Sequence, residues 1–327
     1  MKKIFLVANA FLGIVNTVVP SQNDLFCDVR PIYNDNKHSW GTLSVGADWK
    51  FWRLESHRMD LGAELFVTDA ASNKAELVDT LRPRFRATNG YKVVAAYTCP
   101  RANLQIEASF THIPVCADFN RWCPQPSIVF LGIGFPILSF ISNNQMLFRQ
   151  AHMQWRGKIE CANLDFVWEQ CISGKVTNTA SIGLEALIVD QHAYISGDTD
   201  NARVVANLEG TLKGGGVKFG WSSDRYLGHG FSLRAGLASS IICTQSRGKA
   251  CLEGFDALSG TVKSDQWRIV PVSTLGFFCG FGYAKDWCRC SIDTYLGFEQ
   301  KILLEANLFS GGTIYLQGLT LGCVYSF

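Results

Sequence analysis

The chain has 327 residues, 12 of them cysteine, and sets 30 Lys and Arg against 28 Asp and Glu for a formal net charge of +2. So small an excess gives no electrostatic footprint for nucleic-acid binding. The most apolar internal segment, 127–141, contains Gly132, Gly134 and Pro136 and falls short of the roughly twenty apolar residues that a spanning helix needs.

Residues 1–21 read as a secretory signal peptide: Lys2 and Lys3, an apolar run from Ile4 to Val19, then a less hydrophobic exit at Pro20 and Ser21. The remainder, 22–327, is expected to be one domain outside the cytoplasm, where disulfides persist.

Beyond the signal the two-residue period of a strand recurs. Leu61, Ala63, Leu65 and Val67 alternate with Asp60, Gly62 and Glu64, and Leu104, Ile106, Ala108 and Phe110 with Gln105, Glu107 and Ser109. Ile182 to Ile188, Phe231 to Leu237 and Ile292 to Phe298 repeat the pattern. Strands are therefore expected near 41–53, 58–68, 83–98, 101–113, 127–141, 148–157, 160–171, 179–190, 203–220, 230–244, 266–283, 288–301 and 314–327. The fold class that follows is all-β, an antiparallel transmembrane β-barrel of about 12–14 strands, since single-chain bacterial barrels close with an even number. Either Leu25–Tyr33 adds a strand, or 127–141, interrupted by Pro136, is a segment inside the barrel.

The last strand carries the clearest signal. Leu319, Leu321, Cys323, Tyr325 and Phe327 form one face, and Gly318, Thr320, Gly322 and Ser326 the other. That is a lipid face opposite a small, polar inner face. Tyr325 and Phe327 end the strand as an assembly signal for the barrel assembly machinery. If this strand descends to the periplasm, the shorter connections fall on the periplasmic side and most of the longer ones outside, as in bacterial barrels.

Cysteines are plentiful but lack metal-site spacing. Cys116 with Cys123, and Cys243 with Cys251, fall in or beside expected loops, where each pair could form a local disulfide or link to a neighbouring protein. The inward faces should carry function, because a pore selects by size and by wall charge. On that reading Arg84, Arg86 and Lys92 line the lumen with Glu107, Glu185, Arg234, Asp293 and Glu299; the alternative is that these side chains pair and fill a small barrel. Aromatic residues such as Trp49, Trp52, Trp155 and Trp168 lie near strand ends, where girdles meet lipid headgroups. No cofactor, metal or catalytic motif is expected; an outer-membrane hydrolase would rest on His192 with Asp190 and Asp198 alone.

Several ordered stretches resemble one family. They are Pro83-Arg84-Phe85-Arg86 with Gly90-Tyr91, Gly183-Leu184-Glu185-Ala186, Gly214–Trp221, Tyr295-Leu296-Gly297-Phe298-Glu299-Gln300, and Leu316-Gln317-Gly318-Leu319-Thr320-Leu321. Together they are similar to the Legionella-type major outer membrane proteins, which also occur in chlamydia-like bacteria. The resemblance implies a bacterial outer-membrane porin that passes small hydrophilic solutes by diffusion and also serves as a major structural envelope protein, embedded in outer-membrane lipid. The cysteine load resembles a chlamydial envelope, with other cysteine-rich envelope proteins as crosslinking partners. A sealed barrel acting as adhesin or disulfide-crosslinked structural protein is the alternative.

Overall fold

The computed structural model describes residues 41–56, 62–69, 74–81, 84–99, 104–122, 127–131, 147–148, 150–198, 203–253, 262–287, 290–306 and 312–327. In chain order the strands are β1 (Thr42–Ser56), β2 (Gly62–Asp69), β3 (Lys74–Leu81), β4 (Arg84–Phe85), β5 (Ala87–Cys99), β6 (Leu104–Trp122), β7 (Ser127–Leu131) and β8 (Leu147–Phe148). They continue as β9 (Gln150–Ser173), β10 (Val176–Asp198), β11 (Arg203–Gly228), β12 (Phe231–Glu253), β13 (Val262–Trp287), β14 (Cys290–Leu304) and β15 (Ile314–Ser326).

Ten of these strands form a closed antiparallel wall in the order β1-β5-β6-β9-β10-β11-β12-β13-β14-β15, with β15 returning to β1. The seam runs from Ser44↔Ser326 to Ser56↔Ile314, and Leu43 and Phe327 exchange backbone hydrogen bonds of 3.1 and 3.0 Å below it. Closure satisfies the backbone groups that lipid cannot, which is the condition for a sheet to span a bilayer. Strands β2, β3, β7 and β8 form a separate sheet in the order β3-β2-β7-β8.

The ladder is staggered. One circuit from Thr42 passes through Thr98, Gln105, Val167, Ser181, Gly220, Ala238, Gly276, Lys301 and Leu316 and returns to β1 at Leu54, a register advance of twelve residues. Strand number and stagger together fix the tilt and bore of a barrel. Two-residue connections at 174–175, 229–230 and 288–289 mark one end, and the longer connections, including those that carry the second sheet, mark the other. The short end is therefore periplasmic. At the 229–230 turn both His229 (φ 52°) and Gly230 (φ 89°) are left-handed, the geometry of a tight hairpin whose twist matches its strands. A side chain at Gly230 would also meet the Ala284 carbonyl oxygen at 2.4 Å.

Alternation located the wall strands but cut them short, missed β3 (Lys74–Leu81) between the expected strands 58–68 and 83–98, and did not show which strands belong to the wall, so the expected twelve to fourteen become ten. The expected strand near 58–68 appears as β2 in the second sheet, and the described part of 127–141 is β7, paired with β2 and β8. The expected strands at 148–157 and 160–171 are one continuous strand, β9, through Gly157 and Lys158. Residues 1–40, 132–146 and Cys123 lie outside the described residues, and so do the signal peptide, a strand at Leu25–Tyr33 and the character of 132–141.

The nine described cysteines are all free. Cys116 lies in β6 rather than in a loop, and Cys243 and Cys251 lie on one extended strand, β12. Eight residues at about 3.3 Å each place those two about 26 Å apart, whereas a disulfide spans roughly 4.4–6.8 Å between Cα atoms. A Cys243–Cys251 bridge is thereby excluded. The folded monomer is expected to give no fragment linked through Cys243 and Cys251 when it is proteolysed without reductant and mapped by mass spectrometry.

Candidate functional site

The two faces of the wall change character at the same height, in opposite senses. Toward the periplasmic end the outward residues are apolar and exposed: Trp49 and Phe51 on β1, Leu164, Phe166 and Trp168 on β9, Ile182 and Leu184 on β10, Leu319 and Leu321 on β15. This is the lipid belt. Farther up, the outward residues of several strands turn charged, with Arg53 and Glu55 on β1, Lys158 and Glu160 on β9 and Asp190 on β10, while β13 keeps Trp267 and Ile269 exposed there. A transmembrane strand needs about 9–11 residues, whereas β9 to β13 have 23 to 26. Their upper halves therefore stand in water.

Inside the belt the wall is ionic. Lys301 binds Glu185 at 2.5 Å and Lys218 binds Asp165 at 2.6 Å, and Lys50 is paired with Glu299, which also accepts from Thr320 Oγ1 at 2.9 Å. Arg234 reaches Asp293 at 2.7 Å and Asp224 at 3.7 Å, and Lys92 lies 3.8 Å from Glu107. Tyr295 donates its hydroxyl to Asp48 at 2.6 Å. Inward glycines make room for these groups: a Cβ at Gly282 would meet Arg234 Nε at 2.3 Å, and one at Gly322 the Tyr295 ring at 2.3 Å.

Above this lattice most inward positions become apolar, with Gln191 on β10 and Thr244 and Ser246 on β12 as buried polar exceptions. Asp48 and Lys50 on β1 give way to Trp52 and Leu54; Glu185 on β10 gives way to Leu187 and Val189; Glu299 and Lys301 on β14 give way to Leu303. On β9 the upper inward residues are Ile159, Trp155 and Met153, with Trp155 meeting Phe85 edge-on at 4.9 Å. Leu187, Leu212, Ile242, Val272 and Leu303 each have 0% accessible surface. Water-filled bores have wetted walls; this one is closed by an apolar layer. Below the layer lies a cavity of about 200 Å³, lined by Asp48, Lys50, Lys92, Arg234, Phe278, Tyr295, Glu299 and Thr320.

Of the expected lumen residues, the structure gathers Lys92, Glu107, Glu185, Arg234, Asp293 and Glu299 in the lattice. Arg86 does not join them: its side chain is 70% exposed and pairs with Asp118 at 2.7 Å on the outer face. The cause is a slip in register. Phe85 faces Ala117 while Tyr91 faces His112, so one extra residue sits between them and the side chains change faces. The Arg84 side chain lies outside the described residues. Tyr325 and Phe327 point outward at the periplasmic end, with ring centroids 5.8 Å apart. Trp52 and Trp155, expected in a girdle, are instead 1% exposed inside the barrel.

Sequence reading missed Lys50, Asp165, Lys218 and Lys301 as lattice members. Lys50, Asp165 and Lys218 each alternate with exposed apolar neighbours, and Lys301 shares the parity of Glu299 two residues before it. His192 is in β10, not in a loop, and its register neighbours are Arg156 and Glu209. Asp198 is six residues farther along the strand, about 20 Å at the rise of an extended chain, so no catalytic grouping of the three forms.

No family model and no curated protein matches the sequence. Among solved structures the chain is similar to the outer membrane protease OmpT of Escherichia coli at 9% identity, TM-score 0.45, over 88% of this chain and 96% of that one. It is also similar to a major outer membrane protein of Thermus thermophilus at 12% identity, TM-score 0.36, over 89% and 100%. A third is the toluene transporter TodX of Pseudomonas putida at 8% identity, TM-score 0.29, over 88% and 89%. The closed antiparallel wall, its lipid belt and its ionic interior make the chain a bacterial outer-membrane β-barrel.

Breaking one buried pair leaves a charge without its partner, at a cost of about 3–5 kcal/mol. Lys301→Met is expected to destabilise the barrel by about 3 kcal/mol in urea titrations read by tryptophan fluorescence. Adding Glu185→Leu should recover most of that loss, since the second change removes the stranded carboxylate.

Proposed function

We propose that this chain is a sealed outer-membrane barrel whose role in the envelope is structural and surface-presenting. The observation that carries the reading is the apolar layer across the upper lumen, whose side chains have no accessible surface. Those residues are the core of the half-barrel that stands outside the bilayer, so displacing them would dismantle that half rather than open a gate. Each fully buried Leu or Ile there contributes about 1.5–3 kcal/mol. The stem raises a largely charged outer surface above the lipid headgroups, an arrangement that suits adhesion or lateral contact with other envelope proteins.

Membership of the Legionella-type major outer membrane protein family is proposed on its sequence motifs, and with it the abundant, structural side of that family's role. Assembly through the terminal Tyr325 and Phe327 is likewise proposed, on their outward placement at the last strand. Passive diffusion of small hydrophilic solutes is the second reading, and the charged chamber below the seal favours it.

Planar-bilayer recording separates the two. The refolded, heat-modifiable barrel is expected to give no stepwise current in molar salt. Stepwise, salt-proportional conductance would overturn the sealed reading in favour of a pore. The lattice holds the carboxylates of Asp48, Glu107, Asp165, Glu185, Asp224, Asp293 and Glu299 against the cations of Lys50, Lys92, Lys218, Arg234 and Lys301. A pore through it would be selective for cations, read as a reversal potential in a salt gradient.

A further inference from the structure

A barrel filled only for stability has no need of a chamber. Charges inside a protein are costly, and well-fitted apolar residues replace buried ion pairs at little loss or with gain. This chain instead keeps opposite charges around an unfilled volume of about 200 Å³ below the seal.

The groups facing that volume are not equally committed. Lys50 is locked to Glu299 and lies over the Trp52 ring at 4.5 Å. Lys92 is held loosely: its ion pair with Glu107 spans 3.8 Å, longer than a hydrogen bond. Asp48 lies directly across the ladder from Lys92 and is only 4% exposed, with the neutral Tyr295 hydroxyl on one oxygen. A buried carboxylate and a loosely paired ammonium therefore stand side by side on one wall of the chamber. Arg234 faces them from β12, anchored by Asp293 and Asp224 and 5.7 Å from the Tyr295 ring.

We propose that this chamber is a binding site for a small zwitterion of α-amino-acid size, entered from the periplasmic side. The ligand's carboxylate would take the Lys92 ammonium and the Arg234 guanidinium, and its ammonium group would take Asp48. A ligand of one sign would satisfy one side of this wall and leave the other without a partner, so both charges are required. Size follows from the volume, since a small amino acid fits about 200 Å³ and a disaccharide does not. Entry is from below because the apolar layer closes the upper side.

The test is calorimetric titration of the refolded full chain in detergent with L-serine as the probe. Acetate and ethylamine, each carrying one of the two charges, serve as competitors. Saturable one-to-one binding of L-serine that neither competitor displaces at equal concentration is expected. Asp48→Asn and Lys92→Met should each weaken binding about tenfold or more, the effect of losing one charged hydrogen-bond partner. Lys213→Ala, on the outer face, should leave it unchanged. Absence of saturable binding to the folded wild-type barrel would overturn the proposal. So would displacement by acetate alone, which would reveal a simple anion site, or binding that survives both chamber substitutions. The wild-type titration with its competitors decides the matter even where a variant fails to fold, and it is independent of whether the barrel conducts.

Discussion

The structure depends on one constraint: its strands run from lipid into water without a break. In lipid the outside of a barrel must be apolar, and a charged residue facing the midplane costs about 2–4 kcal/mol. In water the outside must be polar and a core must form within. The wall therefore reverses its polarity partway up most of the long strands, β13 keeping Trp267 and Ile269 exposed in its upper half. On β10, Leu184 faces lipid while Glu185 faces the lumen; a few residues higher, Leu187 and Val189 face the lumen and Asp190 faces solvent. The same exchange occurs on β1 between Phe51 with Lys50 and Arg53 with Trp52.

The ionic lattice and the apolar seal are two consequences of that reversal. Within the belt, inward carboxylates and amines pair across strands far apart in sequence, as Lys50 does with Glu299 and Lys301 with Glu185. Their low-dielectric setting makes each pair costly to break. Above the belt the inward side chains interdigitate as in a water-soluble protein, and Trp52, Trp155 and Met153 fill the bore. The boundary is marked by Cys161, whose thiol accepts from the Lys301 ammonium at 3.3 Å while Ile159 lies one inward position higher.

Much of this was legible in the sequence. Alternation at the terminal strand placed Leu319, Leu321 and Tyr325 outward and Thr320 inward, and the structure agrees because a single register with β1 and β14 holds along the strand. Six expected inward charges fall where parity put them. Parity failed at Arg86 because a single extra residue, invisible to a two-residue period, inverts the faces below Phe85. It also failed on strand number, since alternation is the same in a wall strand as in β2 of the separate sheet, and β7 is a short apolar run without alternation. The seal was missed because its residues, such as Leu187 and Leu212, are apolar at positions where a transmembrane wall was expected to be polar. Only the extra length of β9 to β13, beyond what a bilayer requires, distinguishes that upper half, and the sequence reading cut those strands short.

Closure of the lumen is tested most directly by the reactivity of Cys161 toward a charged, membrane-impermeant thiosulfonate, with Cys171 on the same strand as reference and the other cysteines replaced by serine. Cys161 is buried within the apolar layer, directly across the ladder from Leu187, and Cys171 is exposed near the periplasmic end. Rapid modification of Cys171 with Cys161 protected until the barrel is unfolded is the expected result. Modification of both thiols at similar rates in the folded barrel would contradict the sealed interior.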